Sequence, residues 1–147
     1  MVLLYCRRFD AANGYLRDVL EFVPDDYFAN LLFSRSLCYS RRMDEAKVHA
    51  SRAYTATGVT NALAALGYVE ACAGDAAAAD KIVAELKESA KQQYVRLTGL
   101  AAINVALGRM DGAAVQLSAA FRSGDFIIGW AKTDRRWDSL RGRVAGI

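Results

Sequence analysis

The sequence predicts an all-α protein built as a solenoid of stacked helical hairpins, and three observations predict it. The first is a recurring stretch. Met43-Asp44-Glu45-Ala46 has counterparts at Phe9-Asp10-Ala11-Ala12, Ala76-Ala77-Ala78-Ala79 and Met110-Asp111-Gly112-Ala113, so that the spacings are 34, 33 and 34 residues. A period near 34 belongs to a two-helix unit that cannot bury its apolar face alone and stacks on its neighbours. The second is composition: 54% of the 147 residues are apolar, mostly Ala and Leu, and there is one Pro. That mixture favours helices over strands. The third is periodicity, since Phe9, Ala12, Leu16, Val19, Leu20 and Val23 recur three and four residues apart, as on the buried face of a helix.

Taken in order, residues 1–7 read as the end of a helix whose beginning is absent. A helix from Phe9 is stopped by Pro24-Asp25-Asp26, with Asp26 placed to cap the next one. That next helix spans about Tyr27 to Ser40 and turns at Arg41-Arg42 into a helix from Met43 to Thr57, which Gly58 ends. Thr60 is placed to cap a helix through Ala73, and Gly74-Asp75 makes the turn. The following helix runs from Ala76 to Ala90 with Ile82, Val83 and Leu86 facing inward. A fourth pair is expected over Gln93–Leu107 and Met110–Arg122, turning at Gly108-Arg109. Beyond the break at Ser123-Gly124-Asp125, Phe126–Ala131 and Asp134–Val144 each read as a short helix. No linker composition intervenes. One domain is expected, with a partial unit at 1–26, units at 27–59, 60–93 and 94–125, and a C-terminal cap at 126–147.

Charge narrows the class of partner. Residues 1–121 carry 13 Lys/Arg against 13 Asp/Glu, whereas residues 122–147 carry six against three, so the whole net charge of +3 sits in the tail. Nucleic-acid binding calls for a broader basic face, and the tail reads as a solvated cap. The three cysteines, Cys6, Cys38 and Cys72, lack the CxxC spacing of a zinc site and cannot all pair. They read as reduced thiols used as small apolar residues, which points to the cytoplasm. Ala53 to Val69 is uncharged but holds Thr, Asn and Gly, a poor membrane span.

These residues resemble a tetratricopeptide repeat (TPR) array, in which each 34-residue unit is a pair of antiparallel helices and successive units form a right-handed solenoid. The family's small residue midway along the first helix falls at Ser34, Gly67 and Ala101. Its early Ala in the second helix falls at Ala12, Ala46, Ala79 and Ala113, and the later small position at Val19, Ala53, Leu86 and Ala120, which keeps Ala in two units. The turn Gly is present at Gly74 and Gly108 but is Arg41 in the second unit. About three and a half repeats result. Asp134-Arg135-Arg136-Trp137-Asp138-Ser139-Leu140-Arg141 is similar to the Asp-Pro-x-Phe-x-x-Leu-Arg segment that closes TPR regions of bacterial adenylate-cyclase-like, winged-helix and kinase-linked regulators, with Arg135 in place of Pro. As a cap, Phe126, Ile127, Ile128, Trp130, Trp137 and Leu140 are expected to cover the last hairpin while the arginines stay in water. An unrelated helical solenoid or a plain helix bundle is the rival architecture, and a bundle needs no fixed spacing of Ala. The open start is expected either of an excised C-terminal fragment of a longer regulator or of a small protein that pairs through its first helices.

No enzyme is expected. The one histidine, His49, stands between Val48 and Ala50 on a helix, and no metal-spaced cluster or Gly-rich phosphate loop accompanies it. No cofactor is expected either. The resemblance implies instead a concave groove lined by the first helix of each unit: Phe28, Leu31, Arg35 and Tyr39, then Asn61, Ala64 and Tyr68, then Val95, Thr98 and Ala102. The Lys/Asn clamp of chaperone-tail receptors is missing from Leu31, Arg35, Ala64, Tyr68, Thr98 and Ala102. The expected function is therefore a regulatory protein–protein scaffold holding an apolar peptide or helix, from an outside partner or from another part of the parent protein. The alternative is a self-associating module that dimerises through an open face at Phe9, Leu16 and Leu20.

Overall fold

A computed structural model describes residues 1–125 and 129–144. The helices are α1 (Val2–Tyr5), α2 (Phe9–Phe22), α3 (Tyr27–Tyr39), α4 (Met43–Thr57), α5 (Thr60–Ala73), α6 (Ala76–Ser89), α7 (Leu97–Ala106) and α8 (Met110–Arg122), followed by a 3-10 helix at Arg135–Leu140. There is no strand among the described residues. Phe126, Ile127 and Ile128, expected in the cap, lie outside them.

The turns repeat more faithfully than the residues that make them. Arg7, Arg41, Gly74 and Gly108 all have left-handed backbones, with φ of 59°, 58°, 89° and 75°. After each, the next amide reaches back five residues: Arg8 to Leu3, Arg42 to Leu37, Asp75 to Glu70 and Arg109 to Asn104, at 2.8–3.0 Å. This is the Schellman closure of a helix C-terminus, which satisfies carbonyls the helix leaves unpaired. Arginine pays about 1 kcal/mol for that conformation where glycine pays none, so the closure tolerates the substitution without requiring it.

The helix starts follow from side-chain caps where these exist. Asp26 Oδ1 accepts from the Ala29 amide at 2.7 Å, and Asp75 Oδ1 from that of Ala78 at 2.9 Å. Thr60 does not cap: the cap position is Val59, whose extended backbone leads into Thr60 as the first helical residue. Nor does the seventh helix begin near Gln93. The chain turns over residues 91–93 and stays out of any helix through Arg96, whose backbone is extended, which lets Val95 drop into the core at 8% exposure.

Consecutive helices pack on one another, and the first helices of successive pairs, α3, α5 and α7, lie side by side. Tyr27 meets Asn61 and Cys38 meets Cys72, near the beginnings and ends of α3 and α5. Gly99 lies against Ala64, and Gly67 against Ile103. Matching heights at two points per pair mean that the three helices run in the same direction. Small residues also let the second helices pack closely: Ala46 in α4, Ala79 in α6 and Ala113 in α8 are 0% exposed, as is Ala101 in α7. The buried side chains form three clusters, the first on α1–α4 with Val69 of α5, the second on α5–α7, and the third on α7, α8 and the tail, and Tyr68 packs against all three.

Two expectations fail here. Leu16 and Leu20 do not form an open face: both are buried in the first cluster with Leu4, Phe33 and Leu37. Phe9 is tilted on Tyr39, with its ring under the guanidinium of Arg135. The apolar stripe of α2 is turned onto α1 and α3, so Phe9, Leu16 and Leu20 are spent within the chain. Among the cysteines, Cys38 is buried but Cys6 is exposed, so the buried-thiol reading fails for Cys6. No helix of the described residues is long and apolar enough to cross a membrane.

Candidate functional site

A cavity of about 400 Å³ opens between α1, α3, α5, α7 and the tail. Eight of the ten expected groove residues line it: Phe28, Leu31, Arg35, Asn61, Ala64, Tyr68, Thr98 and Ala102. They converge because they sit on the facing sides of the three aligned helices. Tyr39 and Val95 do not line it. Tyr39, one turn beyond Arg35, is held under the tail, and Val95 is consumed by the core for the reason given above. At the mouth, Asn61 Nδ2 donates to Tyr27 Oη at 2.8 Å, tying α5 to α3. The Phe28 ring beside it is 66% exposed.

The far end of the cavity was not legible as a site, because residues distant in sequence build it. The tail folds back across the ends of α3 and α5 to reach the first helices. Trp130 stacks on Tyr5 with ring centroids 4.7 Å apart and planes 12° from parallel. Arg7 pairs with Asp138 at 2.7 Å, and Arg135 donates to the Tyr39 carbonyl at 3.3 Å. Trp137 and Leu140 are buried against α7 and α8, as a cap requires. Arg136, however, does not stay in water: only 12% of its side chain is exposed, and it lines the cavity.

Arg136 reaches inward because Asp134 is there to receive it. Asp134, capping the 3-10 helix, accepts from the Arg136 backbone amide at 3.0 Å and from its guanidinium at 2.6 Å, and from the Tyr39 hydroxyl at 3.2 Å. Arg35 stands 3.9 Å from the same carboxylate. Burial alone would raise the Asp134 carboxyl, but the charges of Arg136 and Arg35 and the hydrogen bonds of Arg136 outweigh it and hold it at about 2. Tyr39 is pushed up by burial and by the Asp134 charge, so it stays a neutral donor. Burial likewise raises Tyr68. Two guanidiniums thus share one carboxylate at the cavity floor.

Arg35 is the less satisfied of the pair. Its guanidinium lies 5.3 Å from the Tyr5 ring centroid, on a ring that Trp130 also stacks upon. Its Nε is buried without a hydrogen-bond partner. Near the opposite end, Arg96 pairs with Asp125 at 3.0 Å, and Asp125 also accepts from the Thr98 hydroxyl at 3.0 Å.

Away from the cavity, His49 is a packing residue. Asn30, fully buried, donates its amide to the Pro24 and Asp26 carbonyls at 2.8 and 2.9 Å. Its Oδ1 is therefore the acceptor for His49 Nδ1–H at 2.7 Å, which fixes the tautomer. Burial, then the charge of Arg52, lowers the His49 pKa. Among the described residues no group of three or more His, Cys, Asp or Glu side chains is placed to hold a metal ion. No protein-family model, curated protein or solved structure matches this chain.

Proposed function

We propose that the chain is a protein–protein interaction module, a right-handed TPR-like solenoid whose cavity receives an apolar segment of a partner. The solenoid reading is supported by four Schellman turns at spacings of 34, 33 and 34 residues. Fully buried Ala46, Ala79 and Ala113 at matching places support it too. The observation that carries the binding reading is the cavity itself, with Phe28 exposed at its mouth and Leu31, Ala64 and Ala102 on its walls. Exposed apolar surface around a concavity marks a place where another molecule is expected to cover it. The similarity of the tail to the closing segment of bacterial regulators makes a regulatory role the natural one for such a module.

The test is to plug the cavity. Ala65 lines it and is only partly buried, so Ala65→Trp fills space without replacing a core side chain. Wild-type protein is expected to bind amidated hexapeptides rich in Leu and Phe, selected from a mixed library, that the variant, with unchanged far-ultraviolet circular dichroism, does not bind. Equal binding by both proteins would place the function elsewhere. Tyr68→Ala is a poor probe, because Tyr68 joins all three clusters and its loss would loosen the fold.

A further inference from the structure

The cavity is apolar along its walls and cationic at its floor. Arg35, Arg96 and Arg136 line it and no Asp or Glu does. At the floor, Arg35 and Arg136 share Asp134 alone among the described residues, and burial keeps Tyr39 and Tyr68 neutral. Among the described residues one positive charge is therefore left without a matching negative one, in a place where water screens it poorly. A guanidinium offers five N–H donors. Among the described residues, the one carboxylate within 4 Å of Arg35 is Asp134 at 3.9 Å, which already accepts from Arg136 at 2.6 Å. The Tyr5 ring, itself backed by Trp130, holds the Arg35 guanidinium from one side, so its position is set before any ligand arrives.

We infer that the segment bound in this cavity carries an acidic side chain, Asp or Glu, flanked by aliphatic or aromatic residues, with the carboxylate received by Arg35. The inference rests on the proposed binding of a partner segment in the same cavity. Charge complementarity selects the acid: a carboxylate at the floor would neutralise the surplus charge and take donors that Arg35 leaves unused. Volume selects the length. About 400 Å³ holds on the order of a dozen water volumes at roughly 30 Å³ each, which is a few side chains and not a whole helix. The apolar flanks match Leu31, Ala64 and Ala102 along the walls, and Phe28 at the mouth adds an exposed ring to the contact.

The experiment uses the whole chain and a synthetic library of acetylated, amidated hexapeptides built from Leu, Phe, Ser, Glu and Gln. Enriched peptides are expected to contain Glu. Changing that Glu to Gln is expected to weaken binding about tenfold or more, the scale of a charge-assisted hydrogen bond in a sheltered site. Arg35→Gln is expected to remove the distinction between the two peptides. The Glu-to-Gln comparison on unaltered protein decides the matter if Arg35→Gln fails to fold. Tight binding of peptides with Gln or without any acid would overturn the inference while leaving the peptide-binding reading intact. Binding only of peptides with a free C-terminal carboxylate would overturn the assignment to a side chain. If no peptide is enriched, the binding reading falls and the inference with it.

Discussion

Replacing Gly67 and Gly14 with alanine separates close packing from helix propensity. Both lie inside helices, Gly67 in α5 and Gly14 in α2, so each substitution gains the same propensity term, about 0.5–1 kcal/mol. Their surroundings differ. A Cβ on Gly14 would meet nothing within 4 Å, whereas one on Gly67 would lie 2.8 Å from both Ile103 Cδ1 and Ile82 Cγ2. The Ile103 methyl is the far end of a flexible chain and can turn away. Ile82 Cγ2 is held by a stiff β-branched χ1, so α6 itself has to move. Overpacking of this kind costs about 1–3 kcal/mol. Gly14→Ala should then stabilise the protein by about 0.5–1 kcal/mol, and Gly67→Ala should destabilise it by up to about 2 kcal/mol. At roughly 3 °C per kcal/mol for a chain of this size, their melting temperatures should differ by several degrees in opposite directions from wild type. Urea and thermal unfolding followed by circular dichroism measure the free energies and the melting temperatures. Equal stabilisation by the two variants would refute the close approach of α5, α6 and α7.

Three further outcomes are expected. Trp137→Ala, at a site 1% exposed, should cost about 3–5 kcal/mol in urea unfolding; a negligible change would mean that the tail does not close the core. Arg135→Pro should cost no more than Arg135→Ala, about 1 kcal/mol for the lost contacts with the Phe9 and Tyr39 rings. Asp134 before it already has the extended ψ of 119° that precedes proline comfortably, so a much larger cost for Pro would show a different turn. The Asp134 carboxyl, held at about 2 in the folded state, makes a contribution fully present above its unfolded value near 4 and lost as pH falls from about 4 to 2. Acid unfolding should therefore be shallower in that window for Asp134→Asn than for wild type, and identical pH profiles would contradict the pairing.

The helices and their order were legible because period and composition agree: apolar spacing set the faces, and Ala at fixed intervals set where backbones approach. The Schellman turns at Arg7 and Arg41 were not marked by residue type, since glycine identifies a left-handed turn and arginine conceals it. Val95 was misplaced because its helix begins only at Leu97 and the core takes its side chain, and Thr60 because residue type alone put the cap one residue too late. Most of the cavity wall was legible only through the resemblance to the repeat family, which implies a groove along the first helix of each unit. Its floor was not, because Tyr5, Arg35 and Arg136 come together only when the tail crosses to the first helices. Asp134-Arg135-Arg136 read locally as surface charge, and nothing local distinguishes Arg136, which turns inward, from Arg135, which lies exposed on two rings.

The tail changes what such a chain can do. In a linear array each unit touches its neighbours alone and stability is a sum of adjacent terms. Here Arg7 with Asp138 and Tyr39 with Asp134 join residues 131 and 95 positions apart, so loosening the tail releases the first helices as well. Yet the Arg35–Asp134–Arg136 group is a poor choice if stability were its only purpose. Taking three charges out of water offsets most of what their attraction returns, and well-packed apolar residues would serve as well or better. What leucines in those positions would not supply is a positive charge held at the base of an apolar cavity. The tail therefore closes the fold through Trp137 and Leu140 and sets the chemistry of the cavity through Arg136 and Asp134, so closure and the proposed selectivity are lost together when it is removed.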